Sequence, residues 1–270
     1  MKLVANARMY AVTAAADAAW KELFAWLSRR TNVPLQPLDL PFPAPLAQLW
    51  SRSELGCAFM CGFPYLRSPD PPKPIAAPVP SAARFSGRAV YMTDLVVRSD
   101  SEFRTLEDTF GGRLGYTTED SHSGYNALRH HLLPFRSEHR PTLYRASIGP
   151  LYTPRGVLDS VLAGDIDVGP VDAYALDLML RHEPELSQRI RIVATTDPAP
   201  LPFLVASPDC PDHIVDRLRS SLIEFGDAGE CAILREQLAL AKFVPVLIRD
   251  YDLILHWATE AEAVGYDRPA

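Results

Sequence analysis

No apolar run in this chain approaches the roughly 20 residues that a membrane-spanning helix needs, so the sequence is read as free of membrane insertion. Cysteine is scarce as well. Cys57, Cys61, Cys210 and Cys231 show no Cys-x-x-Cys spacing and no Cys/His ligand pattern, and the seven histidines are scattered. That excludes a recognisable zinc framework, leaves no metal or cofactor to expect, and reads the four thiols as small buried hydrophobes. Glycine is sparse beside proline, 14 against 25, which points to loops of fixed conformation. Positive charge is also in deficit: 27 Lys and Arg against 33 Asp and Glu give a net charge of −6, which argues against nucleic acid or an anionic membrane as partner. Any anion must then be held by local donors.

The 270 residues suit one large or two modest globular domains. The opening Lys2-Leu3-Val4-Ala5-Asn6-Ala7-Arg8-Met9-Tyr10 reads as a strand, and Asn6 and Arg8 interrupt any leader-like apolar region. The expected location is the periplasm if a leader was removed and the cytoplasm otherwise. Helical periodicity follows from about Thr13 to Arg30, with Trp20, Leu23, Phe24 and Leu27 on one face. Extended pieces are expected at 33–37, 56–60, 75–79, 89–97, 142–146, 166–169, 191–195 and 203–206. Helices are expected at 155–163, 171–180, 212–225, 231–240 and 250–264. Such alternation predicts an α/β fold with largely parallel sheets.

The densest chemical signal is Thr117-Thr118-Glu119-Asp120-Ser121-His122-Ser123-Gly124-Tyr125-Asn126, where hydroxyl residues and a glycine open an apolar-periodic helix behind the short strand Gly112–Thr117. The first N–H groups of a helix have no intrahelical acceptor and carry partial positive charge, so this is a place to hold an anion. Ser and Asp are equally the ordinary N-cap residues.

Several stretches, in order, carry a family resemblance. Gly56-Cys57-Ala58-Phe59-Met60-Cys61-Gly62-Phe63-Pro64-Tyr65 resembles a strand leading into a Gly-x-x-Tyr turn, and 91–101 a crossing strand followed by Asp-Ser. Asp120–Tyr125 resembles a Ser-x-Ser-Gly anion loop, and 161–172 a V-x-x-G-x-x-D-x-G-x-x-D segment. With the tail 260–266, the chain is similar over nearly its full length to the phosphonate-type substrate-binding proteins of ABC transporters. The resemblance implies a two-lobed type II periplasmic-binding-protein fold, each lobe a mixed, mostly parallel sheet flanked by helices. Lobe 1 would be 1–92 plus 199–270 and lobe 2, with the anion loop, 93–198. Two hinge crossings would lie near Met92-Thr93-Asp94 and Thr196-Asp197-Pro198, closing over a ligand in the cleft.

On this resemblance Ser121, His122, Ser123, Gly124 and Tyr125 grip a phosphonate, phosphate, sulfonate or carboxylate head. Tyr65 and Tyr10 cover it, Thr93 stands at the crossing strand, and Asp172 meets an amino group or caps a helix. One departure stands out: where phosphonate binders carry Gly-x-His, this chain has Leu151-Tyr152-Thr153-Pro154-Arg155-Gly156. Arg155 or Thr153 is the expected replacement, a guanidinium offering a two-pronged donor. The implied function is the ligand-capturing, non-enzymatic component of a transport system, with an ABC permease as partner. Leaderless enzymes of menaquinone or thiamine-precursor type, with Asp94, Asp172 or His122 as base, and cytoplasmic ligand sensors share the fold and stay open alternatives.

Overall fold

The computed structural model describes residues 2–41 and 43–270. They divide into two compact units: Met1–Val90 with Pro200–Asp250, and Tyr91–Ala199 with Tyr251–Ala270.

The first unit is built on a six-stranded sheet, in the order Leu240–Val244, Lys73–Pro80, Phe203–Ala206, Leu55–Met60, Leu3–Asn6, Leu35–Pro37. Leu3–Asn6 runs parallel to both Leu35–Pro37 and Leu55–Met60. Phe203–Ala206 lies antiparallel to Leu55–Met60 and to Lys73–Pro80, and Leu240–Val244 antiparallel to Lys73–Pro80. The sheet is therefore less parallel than the alternation predicts, because strands returning from residue 203 onward insert against the current of the N-terminal ones. Leu55–Met60 is buried along its whole length, as a central strand with both faces covered must be. The helix Ala14–Thr31 starts where Thr13 accepts the N–H of Ala16 and stops at Asn32, whose φ of 52° ends the winding. Its buried face carries Trp20, Leu23, Phe24 and Leu27, the stripe that the periodicity marks.

The second unit centres on Thr93–Arg98, flanked on either side by antiparallel Ile190–Thr195 and Gly169–Asp172. Arg113–Gly115 pairs in parallel with Ala146–Ile148, and a bridge from Leu114 to Val168 ties this pair to the first three strands. The strand expected at 166–169 is displaced to Gly169–Asp172, and the helix after it starts at Ala173 because Asp172 caps it. The extended piece expected at 142–146 likewise falls later, at Ala146–Ile148.

The domain division expected for the C-terminal stretch needs correction. Residues 251–270 pack with the second unit, so the chain passes between units at Val90–Tyr91, Ala199–Pro200 and again at Asp250–Tyr251. The reason is local: the helix Asp252–Ala263 presents Trp257 and the Ile254 carbonyl to the helix Ala127–Leu132 and the turn before it. All four cysteines are buried free thiols.

Candidate functional site

The helix that opens at residue 122 does so with a wide turn. The Ser121 carbonyl accepts from the Asn126 N–H, five residues on, at 3.1 Å, and His122–Asn126 is π-helical before Ala127–Leu132 continues as α-helix. An ordinary helix would return the Tyr125 N–H to Ser121. The wider turn leaves that N–H ahead of the ladder too, adding a donor to those every helix start already offers. The Ser121 hydroxyl accepts the Gly124 N–H at 3.0 Å, so the capping role expected of it is real, and its own O–H remains to donate.

Gly124 is required here by space rather than by backbone angle. A Cβ on it would stand 1.9 Å from Thr117 Oγ1 and 2.7 Å from Thr117 Cγ2. The Thr117 N–H donates to the Gly124 carbonyl at 3.3 Å, and the Thr117 carbonyl accepts from the Tyr152 N–H at 3.1 Å, so strand, turn and the 151–153 segment are stitched together. Thr93, buried on the central strand, donates its hydroxyl to the Ser123 carbonyl at 3.0 Å and its N–H to Thr196 Oγ1 at 2.9 Å. Thr93 thus supports the turn from below.

His122 is fully buried, where a solvent-facing ring is the simpler expectation for a loop histidine. Its ring stacks on Trp257 at 5.4 Å, and His130 stacks on Trp257 at 4.6 Å. Burial first, and the nearby His130 second, pushes the imidazole down to about 3. Tyr125 donates its hydroxyl to the Asp267 carbonyl at 2.6 Å, and Arg129 donates to the Tyr266 carbonyl at 3.1 Å, so the C-terminal stretch fastens the turn. Nothing in the local sequence announces these contacts, because Trp257, Tyr266 and Asp267 come from the far C-terminal end of the chain.

The remaining expected residues are placed as follows. Thr153 caps the helix Pro154–Ala163, accepting the Gly156 N–H at 2.8 Å. Arg155 bonds both Glu183 carboxylate oxygens at 2.8 Å and Asp159 at 2.9 Å, so its charge is already neutralised by two acids. The reading of Arg155 as the cation that replaces the missing histidine loses its basis. Just before it, Tyr152 is 48% exposed and holds a φ of 64°, a conformation rare for a bulky residue. Asp172 is a plain N-cap, its Oδ1 accepting from Tyr174 and Ala175. Asp94, buried on the central strand, accepts from Thr195 Oγ1 at 2.8 Å. In the first unit, Tyr10 packs edge-on against Phe59 and Tyr65 edge-on against Phe203, both at 4.9 Å, and burial raises the Tyr65 hydroxyl above its ordinary value. Among the described residues no His, Cys, Asp and Glu group could hold a metal ion.

Comparison with known proteins gives a consistent answer. Residues 12–251 match the model of a family described as ABC transporter, phosphonate, periplasmic substrate-binding protein. A binding-protein component of an ABC phosphonate transporter from Pseudomonas aeruginosa is similar with a TM-score of 0.82 at 15% identity, covering 97% of this chain and 87% of its own. PhnD1 from Prochlorococcus marinus, solved in complex with methylphosphonate, has a TM-score of 0.79 at 14% identity over 96% and 98% of the two chains. XAC2383 from Xanthomonas citri, solved bound to ATP, has a TM-score of 0.66 at 18% identity over 97% of each. These structural likenesses establish the type II periplasmic-binding fold. No curated protein matches the sequence.

Proposed function

We propose, from the premise that this chain belongs to the ABC-transporter phosphonate periplasmic substrate-binding protein family, that it captures a small anion on the turn Ser121–Tyr125. The observation that carries the reading is the π-helical start, where the N–H groups of 122, 123 and 125 stand ahead of the first intrahelical bond beside the Ser121 hydroxyl. With a net charge of −6 the molecule has no general pull on anions, so these local dipoles must do the holding.

Phosphate and phosphonate are the first ligands to try, since a relative of this fold was solved with methylphosphonate and another with ATP. Sulfonates and carboxylates follow, because Arg155, the expected replacement for the histidine that phosphonate binders carry, is paired with Glu183 and Asp159. An ABC permease is the partner and the periplasm the site of action that the family suggests for this chain. The three groups that an enzyme reading would use as bases are otherwise engaged: Asp94 and Asp172 in structural hydrogen bonds, and His122 in a buried stack.

Calorimetry with methylphosphonate, phosphate, ATP, methanesulfonate and acetate tests the reading. Replacing Ser121 and Ser123 together by Ala should cost about 1–3 kcal/mol of binding, as for hydrogen bonds to a charged group. Silence from every ligand, or full affinity in the double variant, would refute it.

A further inference from the structure

Arg129 is 5% exposed, a depth at which a guanidinium is almost always matched by a carboxylate. Among the described residues no carboxylate pairs with it. Its Nη1 donates to the carbonyls of Tyr266 at 3.1 Å and Asp267 at 3.4 Å, its Nη2 donates to Asn126 Oδ1 at 3.2 Å, and its Nε–H is buried without an acceptor. These partners are neutral, so they satisfy donors and leave the charge standing. Acids on the surrounding elements are engaged elsewhere: Glu260 with His130 and His256, and Glu119 with Arg268.

The direction of the side chain adds to the anomaly. Long side chains on a helix lean toward its start, and Arg129 follows: it reaches back three residues to Asn126 and lies 5.3 Å from the centre of the Tyr125 ring. The charge therefore stands against the turn 121–126, which the helix dipole already makes positive. Burial without a counter-ion and opposition from the dipole are two costs with one remedy, an anion seated at the turn. We propose that Arg129 is a specificity-determining residue that acts through its field rather than by contact, favouring ligands of two negative charges over those of one; this rests on the anion reading above. A Coulomb attraction scales with ligand charge, whereas the hydrogen bonds of the turn count acceptor atoms. Charge, not shape, is what Arg129 reads.

Calorimetry on the intact chain tests this with methylphosphonate, which carries one charge below its second ionisation and two above. Sulfate and methanesulfonate give the same contrast at a fixed pH. Arg129→Gln keeps a donor for the Tyr266 carbonyl and removes the charge. It should weaken a two-charge probe about a hundredfold and a one-charge probe about tenfold, the order of one Coulomb attraction per ligand charge across a protein interior. Arg129→Lys keeps the charge and loses the planar fork, and should stay within about threefold of the unaltered protein for both. Equal weakening of the two charge classes, or a Lys variant as weak as the Gln variant, marks Arg129 as a fastening of the C-terminal stretch and overturns the inference while the anion reading stands. If Arg129→Gln does not fold, Arg129→Met supplies the uncharged form. If neither folds while the Lys variant does, the charge has its counterpart within the protein, which also overturns the inference. If no probe binds the unaltered protein, both readings fall.

Discussion

At the scale of single residues, the least replaceable position of the turn is Gly124. Alanine there brings a methyl group to 1.9 Å from Thr117 Oγ1, an overlap that only movement of the turn relieves. Gly124→Ala should lower stability by about 1–3 kcal/mol, the usual cost of overpacking, and abolish anion binding. Chemical denaturation and calorimetry check the two effects, and a variant with unaltered melting and affinity would contradict the geometry. Capping was legible in the sequence at Ser121 and Asp172, which each precede a helix and accept one of its first N–H groups, whereas Thr153, expected to meet the ligand, caps its helix as well. The partners of His122 and Arg155 were not. Trp257 and Glu183 reach them by tertiary packing, across 135 and 28 residues of chain, which no local pattern encodes.

At the scale of elements, the helix Asp252–Ala263 has the largest unexpected role. Trp257 is buried with an imidazole stacked on it from His122 and another from His130, while Glu260 of the same helix bonds His130 and His256. Trp257→Ala should cost about 3–5 kcal/mol, as buried aromatic deletions do, and should loosen the turn 121–126 specifically. Hydrogen exchange checks this: the Asn126 and Ala127 amides should exchange faster in the variant, and unaltered protection would show that the stack is dispensable. The helix itself was legible from its periodicity. Its destination was not, because the resemblance assigned it to the other unit. Strand pairing was similarly hidden, since Phe203–Ala206 finds its neighbours Leu55–Met60 and Lys73–Pro80 over more than a hundred residues.

For the whole molecule, the buried imidazole sets a direction for stability against pH. His122 is held near 3 in the folded protein, while an unfolded chain takes up its proton near 6.5. Above about pH 6.5 neither state is charged and stability is level; as pH falls from there toward 3 the unfolded state gains a proton that the folded state refuses, and stability drops. The limiting slope is about 1.4 kcal/mol per pH unit for one such group. His131, lowered chiefly by burial, acts in the same direction. Urea unfolding at about pH 7.5 and about pH 5 should show the loss, and His122→Phe should remove part of it; an identical pH dependence in the variant would contradict the assignment.

The third passage of the chain between units also governs the order in which the protein can be made. The first unit lacks a strand from the middle of its sheet until Phe203–Ala206 has been synthesised, and its edge strand until Leu240–Val244 has. The turn 121–126 waits longer still: its ring stack needs Trp257, and the Tyr125 hydroxyl and Arg129 guanidinium need the carbonyls of Asp267 and Tyr266. Neither unit can close while the chain is shorter than about 250 residues, so vectorial synthesis delivers a nascent polypeptide with both cores open and the turn 121–126 last to set.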